Sequence, residues 1–235
     1  EILDWLKNNN CPIDLLFEND QGFDEYKPIE INGRDINPGT VISSIAARNG
    51  CIDLLQWCKN NGFLQNEHTM AEAAFFNNFE TVKWLKENNC QWNEIVCSHA
   101  AAAGNINILK WARENGCPWS YKTCVCAISN GHYHLLKWAV NNGCPLDDWI
   151  CAIAAQQGNL EILKFLREKN CPWSVHVCTG AAEKGHFHVL KWARENGCPW
   201  DKFVIYQARK HKYYDIEHWA LANGCPDYDE GDFDI

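Results

Sequence analysis

Nothing in this 235-residue chain stays apolar for the roughly 18 uninterrupted positions that a membrane helix needs, so no bilayer span is expected. Positive charge is also short: 21 Lys and Arg stand against 30 Asp and Glu, for a net charge of −9. A large nucleic-acid footprint relies on clustered cations to neutralise phosphates, so nucleic acid is not an expected partner. Residues 1–10 hold no basic segment and no small-residue cleavage site, so no signal peptide is read. The chain has no initiator Met and opens inside a repeat, which reads as a fragment of a longer protein. No phosphate loop, dinucleotide fingerprint or zincin helix is present. Singletons such as Ser129, Asp148 and His176 have no nucleophile–base partner that sequence can supply, so neither catalysis nor a cofactor is expected. Cys-x-x-Cys pairs are missing as well, although there are fourteen cysteines. The chain is much longer than the small secreted domains that need a disulfide framework.

What the chain does have is a period. Cys90, Cys117, Cys144, Cys171, Cys198 and Cys225 are each 27 residues apart. Trp57, Trp84, Trp111, Trp138, Trp192 and Trp219 keep the same spacing, with Phe165 in the gap. Ala46, Ala73, Ala100, Ala127, Ala154, Ala181 and Ala208 form a third column. Gly50, Gly104, Gly131, Gly158 and Gly185 form a fourth, interrupted by Asn77 and Lys212. Four columns in phase over seven turns establish an internal repeat.

The unit Tyr121 to Asp147 assigns a part to each column. Cys124, Ala127 and Ile128 fall at the spacing of one helix face, and Asn130-Gly131-His132 ends that helix with a glycine free to take positive φ. Leu135, Leu136, Trp138 and Ala139 give a second stripe, closed by Asn142-Gly143-Cys144-Pro145. Helices of about nine residues are too short to stand alone, so each unit must bury its stripes against its neighbours. The stripe places the Trp57-to-Trp219 column in the core.

The run Ala181-Ala182-Glu183-Lys184-Gly185-His186-Phe187-His188-Val189-Leu190-Lys191-Trp192 resembles the centre of an ankyrin repeat, and Asn196-Gly197-Cys198 resembles the step after its second helix. An ankyrin unit has about 33 residues, so this one is about six shorter. The alignment puts the deletion in the inter-repeat loop, where ankyrin repeats carry a β-hairpin finger. The unit is also similar to the short Gly-Cys-Pro-Trp repeats of giant DNA viruses, some amoebae and algae-like protists. The resemblance, over residues 40–225, implies an all-α, αα-hairpin solenoid with short loops lacking the finger. It also implies a protein-binding scaffold, in viral relatives often joined to an F-box adaptor domain.

First helices are expected near 40–48, 67–76, 94–103, 121–129, 148–157, 175–184 and 202–211, and second helices at 52–60, 79–88, 106–115, 133–142, 160–169, 187–196 and 214–223. These make seven ankyrin-like repeats over 40–226. Before them come a partial repeat at 1–13, whose second helix would lie at 2–9, and an inserted or linking segment at 14–39; an acidic tail follows at 227–235. The insertion reads equally as a long loop or as a small module.

The cysteine columns read as reduced, buried small hydrophobes in a reducing compartment, the cytoplasm (a host's, if the chain is viral). The competing reading is a Cys-x6-Cys disulfide within a unit. His132 with His134, and His186 with His188, suggest a metal, but i, i+2 spacing sends the rings to different sides of a helix, so no metal site is expected. Trp92, Trp119, Trp173 and Trp200 in the loops either close the loop over the neighbouring repeat or form an exposed aromatic ladder.

In a solenoid the irregular columns are free to serve partners. By the ankyrin likeness, the pair before each glycine faces the concave groove: Gln156-Gln157, Glu183-Lys184 and Lys210-His211, growing more basic toward the C-terminus. The column Lys122, Trp149, His176 and Phe203 also changes character at each step, and Trp149 and Phe203 are the favoured anchors. These ten residues form the candidate site for a protein partner, on a chain expected to be monomeric. The alternative function is a purely structural or self-associating array.

Overall fold

A computed structural model of the chain describes residues 29–31, 34–36 and 38–227. The proposed helix at 2–9 and the tail beyond 227 lie outside the described residues. Of the inserted segment, Ile29–Ile31 (β1) and Arg34–Ile36 (β2) pair antiparallel, with Glu30 opposite Asp35. Fourteen helices follow. They are α1 Pro38–Arg48, α2 Ile52–Asn60, α3 Glu67–Phe75, α4 Phe79–Glu87, α5 Glu94–Ala102, α6 Ile106–Glu114 and α7 Tyr121–Ser129. The rest are α8 Tyr133–Asn141, α9 Asp148–Gln156, α10 Leu160–Glu168, α11 Val175–Glu183, α12 Phe187–Glu195, α13 Phe203–Lys210 and α14 Tyr214–Ala222. The periodicity places these helices to within about two residues, and the inter-repeat loops contain no strand among the described residues.

The chain divides between Leu135 and Leu136 into two compact units. In the first, α1 packs on α3, α3 on α5 and α5 on α7, while α1, α3 and α5 each lie against their own second helix. In the second, α9 packs on α11 and α11 on α13, and each lies against its own second helix. Each unit is a stack of αα-hairpins of an all-α repeat fold.

The local code repeats from hairpin to hairpin. Most α9 side chains facing the stack are small: beside Ile150, Cys151, Ala152, Ala154 and Ala155 are buried, so first helices can approach closely. Second helices bring the larger groups, as Ile162, Leu163 and Leu166 do on α10. Asn66 caps α3 by accepting from the His68 and Thr69 amides, and Asp147 caps α9 by accepting from the Trp149 amide. Each helix then ends on a left-handed residue. Asn77 and Lys212, which interrupt the glycine column, hold φ 61° like their glycine counterparts, so the turn keeps its shape and bears the strain of a Cβ.

Successive hairpins are joined by a bond that sequence spacing does not announce. Asn105 Nδ2 donates to the Ala74 and Phe75 carbonyls, both at 2.8 Å, capping the end of the preceding first helix. His132 Nε2 does the same to Ala102 O (3.1 Å), and His186 Nε2 to Gln156 O (3.0 Å). These histidines therefore serve as inter-repeat caps, with the ring pressed onto the preceding turn glycine.

Among the described residues no cysteine is in a disulfide, and all but Cys51 and Cys126 are buried. Cys90, Cys117, Cys171, Cys198 and Cys225 each point a thiol at the carbonyl 24 residues earlier, at 3.3–3.5 Å, which belongs to the cap residue of the same repeat's first helix or, for Cys225, to Asp201 just before it. The two cysteine columns meet 20 residues apart rather than seven. Cys97 and Cys117, Cys151 and Cys171, and Cys178 and Cys198 are paired by thiol–thiol hydrogen bonds, not disulfides. These bonds together with burial push the Cys151 and Cys178 thiols well up. Burial, with the Glu67 carboxylate nearby, pushes Cys90 up to about 12.

The tryptophans on the second helices correct the expectation that they are core. All six are half-buried, because their indoles lie at the rim of the stripe; Trp219 there meets rings of the preceding hairpin and loop, Phe187 and Trp200. The loop tryptophans close the loops. Trp200 lies edge-on to Trp219 (5.8 Å) with the Arg194 guanidinium 4.1 Å from its ring centre, and Trp173 is held alike by Trp192 and Arg167. They do not form an exposed ladder.

Candidate protein-binding surface

First helices expose the positions that the stacking leaves free. In the second unit these begin at the start of each first helix, with the 27-residue column Trp149, His176 and Phe203, all exposed. The alternation is forced by geometry, since Ile150 and Cys151, or Val177 and Cys178, turn into the stack and leave the preceding residue outward. Trp149 and His176 are brought together, their rings stacked at 4.8 Å with planes 11° apart. Trp149 keeps 52% of its surface exposed, and the other ten tryptophans among the described residues are all half-buried. Phe203 is 41% exposed and sits edge-on to Tyr206 at 6.4 Å.

The remaining candidates divide by what they touch. Gln156 is half-buried, its side chain lying across Gly180 so closely that a Cβ there would come within 2.6 Å of the Gln156 Cγ. It is therefore part of the stack as much as of the surface. Gln157 is exposed. Glu183 and Lys184 pair with each other at 2.9 Å, and the carboxylate raises the Lys184 ammonium above its ordinary value. Lys210 is exposed with its ammonium 5.7 Å from the Tyr206 ring, and His211 stacks on Tyr213 at 6.1 Å. In the first unit, Lys122 is exposed and pairs with Glu94 at 3.2 Å. The expected basic gradient through the pairs before each glycine is thus weaker than the residue names suggest, because Lys184 faces the Glu183 carboxylate.

A second exposed aromatic group lies in the first unit. Phe75 and Phe76 are 39% and 45% exposed, 5.1 Å apart, with His99 edge-on to Phe75 and the Arg48 guanidinium 4.9 Å over Phe76. Arg48 is held by Glu72 at 3.2 Å. Phe75 and Phe76 are one period before Ala102-Ala103, in the same columns as Glu183-Lys184. Extending those columns by 27 residues toward the N-terminus finds them.

What these exposed positions offer chemically is rings held in place by neighbours, with hydrogen-bonding side chains around them. Among the described residues no three or more His, Cys, Asp or Glu side chains gather where they could hold a metal ion. No described helix is long and apolar enough to cross a membrane. No protein-family profile matches the chain, and no curated protein matches it either.

Proposed function

We propose that this chain is a non-catalytic scaffold, an ankyrin-like array of helical hairpins that holds a partner protein on the exposed side of its first helices. The observation that carries the proposal is the Trp149–His176 stack. An indole left half in water while every other described tryptophan is partly covered keeps apolar surface hydrated, and a partner would relieve that cost. Tryptophan in such a place is where binding energy concentrates. Phe203, one repeat further on, extends the same column, and Gln157, Lys210 and His211 supply polar groups beside it.

A reducing compartment, the cytoplasm, belongs to this proposal, because the buried columns use protonated thiols as donors. A giant-virus origin and a host protein as partner rest on the Gly-Cys-Pro-Trp likeness alone.

The test starts from proteins captured on the immobilised chain, each then purified and titrated against the parent and a Trp149→Ala/Phe203→Ala variant. Both residues are exposed, and neither belongs to the buried core of its helix, so the variant should keep its helical circular dichroism. The Kd of a true partner should weaken at least about 30-fold, the equivalent of a 2 kcal/mol hot spot. Unchanged affinity refutes the assigned surface. Concentration-dependent self-association without any such partner supports the structural array instead.

A further inference from the structure

Eight Asn–Gly steps occur in the sequence, an unusual density of the dipeptide whose backbone cyclises most readily. Asn32–Gly33 lies outside the described residues. The other seven, at Asn49, Asn61, Asn115, Asn130, Asn142, Asn196 and Asn223, all fall at the ends of helices. Cyclisation needs two things. The glycine amide nitrogen must be free to attack, and the asparagine Cγ must swing toward it.

Both requirements are blocked at every site. Each asparagine Nδ2 donates to the carbonyl four residues earlier: Asn49 to Ile45 at 2.8 Å, Asn61 to Trp57 at 2.8 Å, Asn115 to Trp111 at 2.8 Å and Asn130 to Cys126 at 2.9 Å. Asn142 to Trp138 at 2.7 Å, Asn196 to Trp192 at 2.8 Å and Asn223 to Trp219 at 2.7 Å complete the set. Each following glycine N–H is engaged in turn, at 3.0–3.2 Å, by the carbonyl three residues before it, as Gly197 is by Arg194 and Gly224 by Leu221. The same two bonds recur in all seven turns. They satisfy orphan carbonyls and immobilise the nucleophile and the electrophile together.

We propose that these seven helix ends are sites of spontaneous deamidation that the closed turn suppresses, so that modification at each one records how often its hairpin opens. In the open turn the glycine nitrogen bonds to the asparagine Cγ and loses its proton. The C–N bond to the side-chain amine breaks, and ammonia leaves. Water then opens the succinimide at either carbonyl, giving aspartate or isoaspartate, and no other reactant is consumed. The product does not restore the turn. The Nδ2 donor is gone, and a carboxylate stands at the negative end of a helix dipole, where it is disfavoured. Isoaspartate also lengthens the backbone by one carbon. An opening that is reversible before the reaction becomes permanent after it, and the hairpin of α13 and α14, which among the described residues packs against one neighbouring hairpin only, should register first.

The full chain is incubated folded, and in parallel in guanidinium chloride at the same pH and temperature, and each Asn–Gly peptide is followed by mass spectrometry with isoaspartate detection. In the folded chain all seven sites should react at least about tenfold more slowly than in the unfolded chain, a ratio that an opening free energy of only about 1.4 kcal/mol produces. Asn223 should be the fastest of the folded sites in the second unit, ahead of Asn142 and Asn196. A folded rate less than tenfold below the unfolded one overturns the suppression. Equal folded rates at these three sites overturn the link to local opening.

Discussion

Two glycines in the second unit separate backbone conformation from close approach. Gly197 and Gly158 both hold left-handed φ, +81° and +69°, but a Cβ on Gly197 would meet nothing within 4 Å. A Cβ on Gly158 would sit 2.7 Å from the His186 ring. Gly197→Ala should therefore cost only the left-handed penalty of about 1–2 kcal/mol, less the roughly 0.4–1 kcal/mol by which alanine restricts the unfolded chain. The net is about 1 kcal/mol. Gly158→Ala carries the same cost and must also displace the imidazole, forfeiting its 3.0 Å bond to Gln156 O. With about 1 kcal/mol for that bond and a similar overpacking cost, the total is about 3 kcal/mol. The chain contains its own control. Where the reaching residue is Asn105 instead of histidine, the turn position is Asn77, which tolerates a Cβ at φ 61°. His186→Asn should accordingly be nearly neutral alone and recover about 1–2 kcal/mol of the Gly158→Ala loss. Urea titration followed by circular dichroism, with an unchanged slope, measures all four corners. Equal costs at the two glycines, or no coupling with His186→Asn, would refute the reasoning.

Two further expectations concern the cysteine columns and the loop tryptophans. The Cys90 thiol is held up to about 12 and Cys58 to about 11 against an ordinary value of 9.0, both chiefly by burial. The folded chain thus retains protons that the unfolded chain loses, so these groups stabilise fully below pH 9.0 and lose that contribution as pH rises toward 11–12. Stability should fall by about 1.4 kcal/mol per pH unit for each such thiol across that window, and a Cys90→Ala variant should show a shallower decline in the same titration. Arg194→Ala should destabilise by about 1–2 kcal/mol, since it removes both the cation over Trp200 and the bond from Arg194 Nη1 to the Cys198 carbonyl. Arg194→Lys should recover only part of that in thermal melts, because an ammonium retains the charge without the planar fork.

Much of this molecule is legible in its sequence, and the legible parts share a cause. Helix periodicity, the left-handed ends at Gly143 and Gly197, and the caps at Asn66 and Asp147 depend on residues within a few positions of one another, so a 27-residue period copies them visibly. The exposed column of Trp149, His176 and Phe203 could be read for the same reason, being the positions that the apolar stripe omits. What crosses between helices could not. That His132 reaches Ala102, that cysteines meet at a spacing of 20 instead of seven, and that the second-helix tryptophans are half-buried are set by how far one hairpin slides and tilts against the next. A stripe tells which side of a helix is covered. How wide the cover is, and which sulfur or carbonyl arrives opposite, depends on side-chain volumes on both partners at once, and only the packed structure decides it.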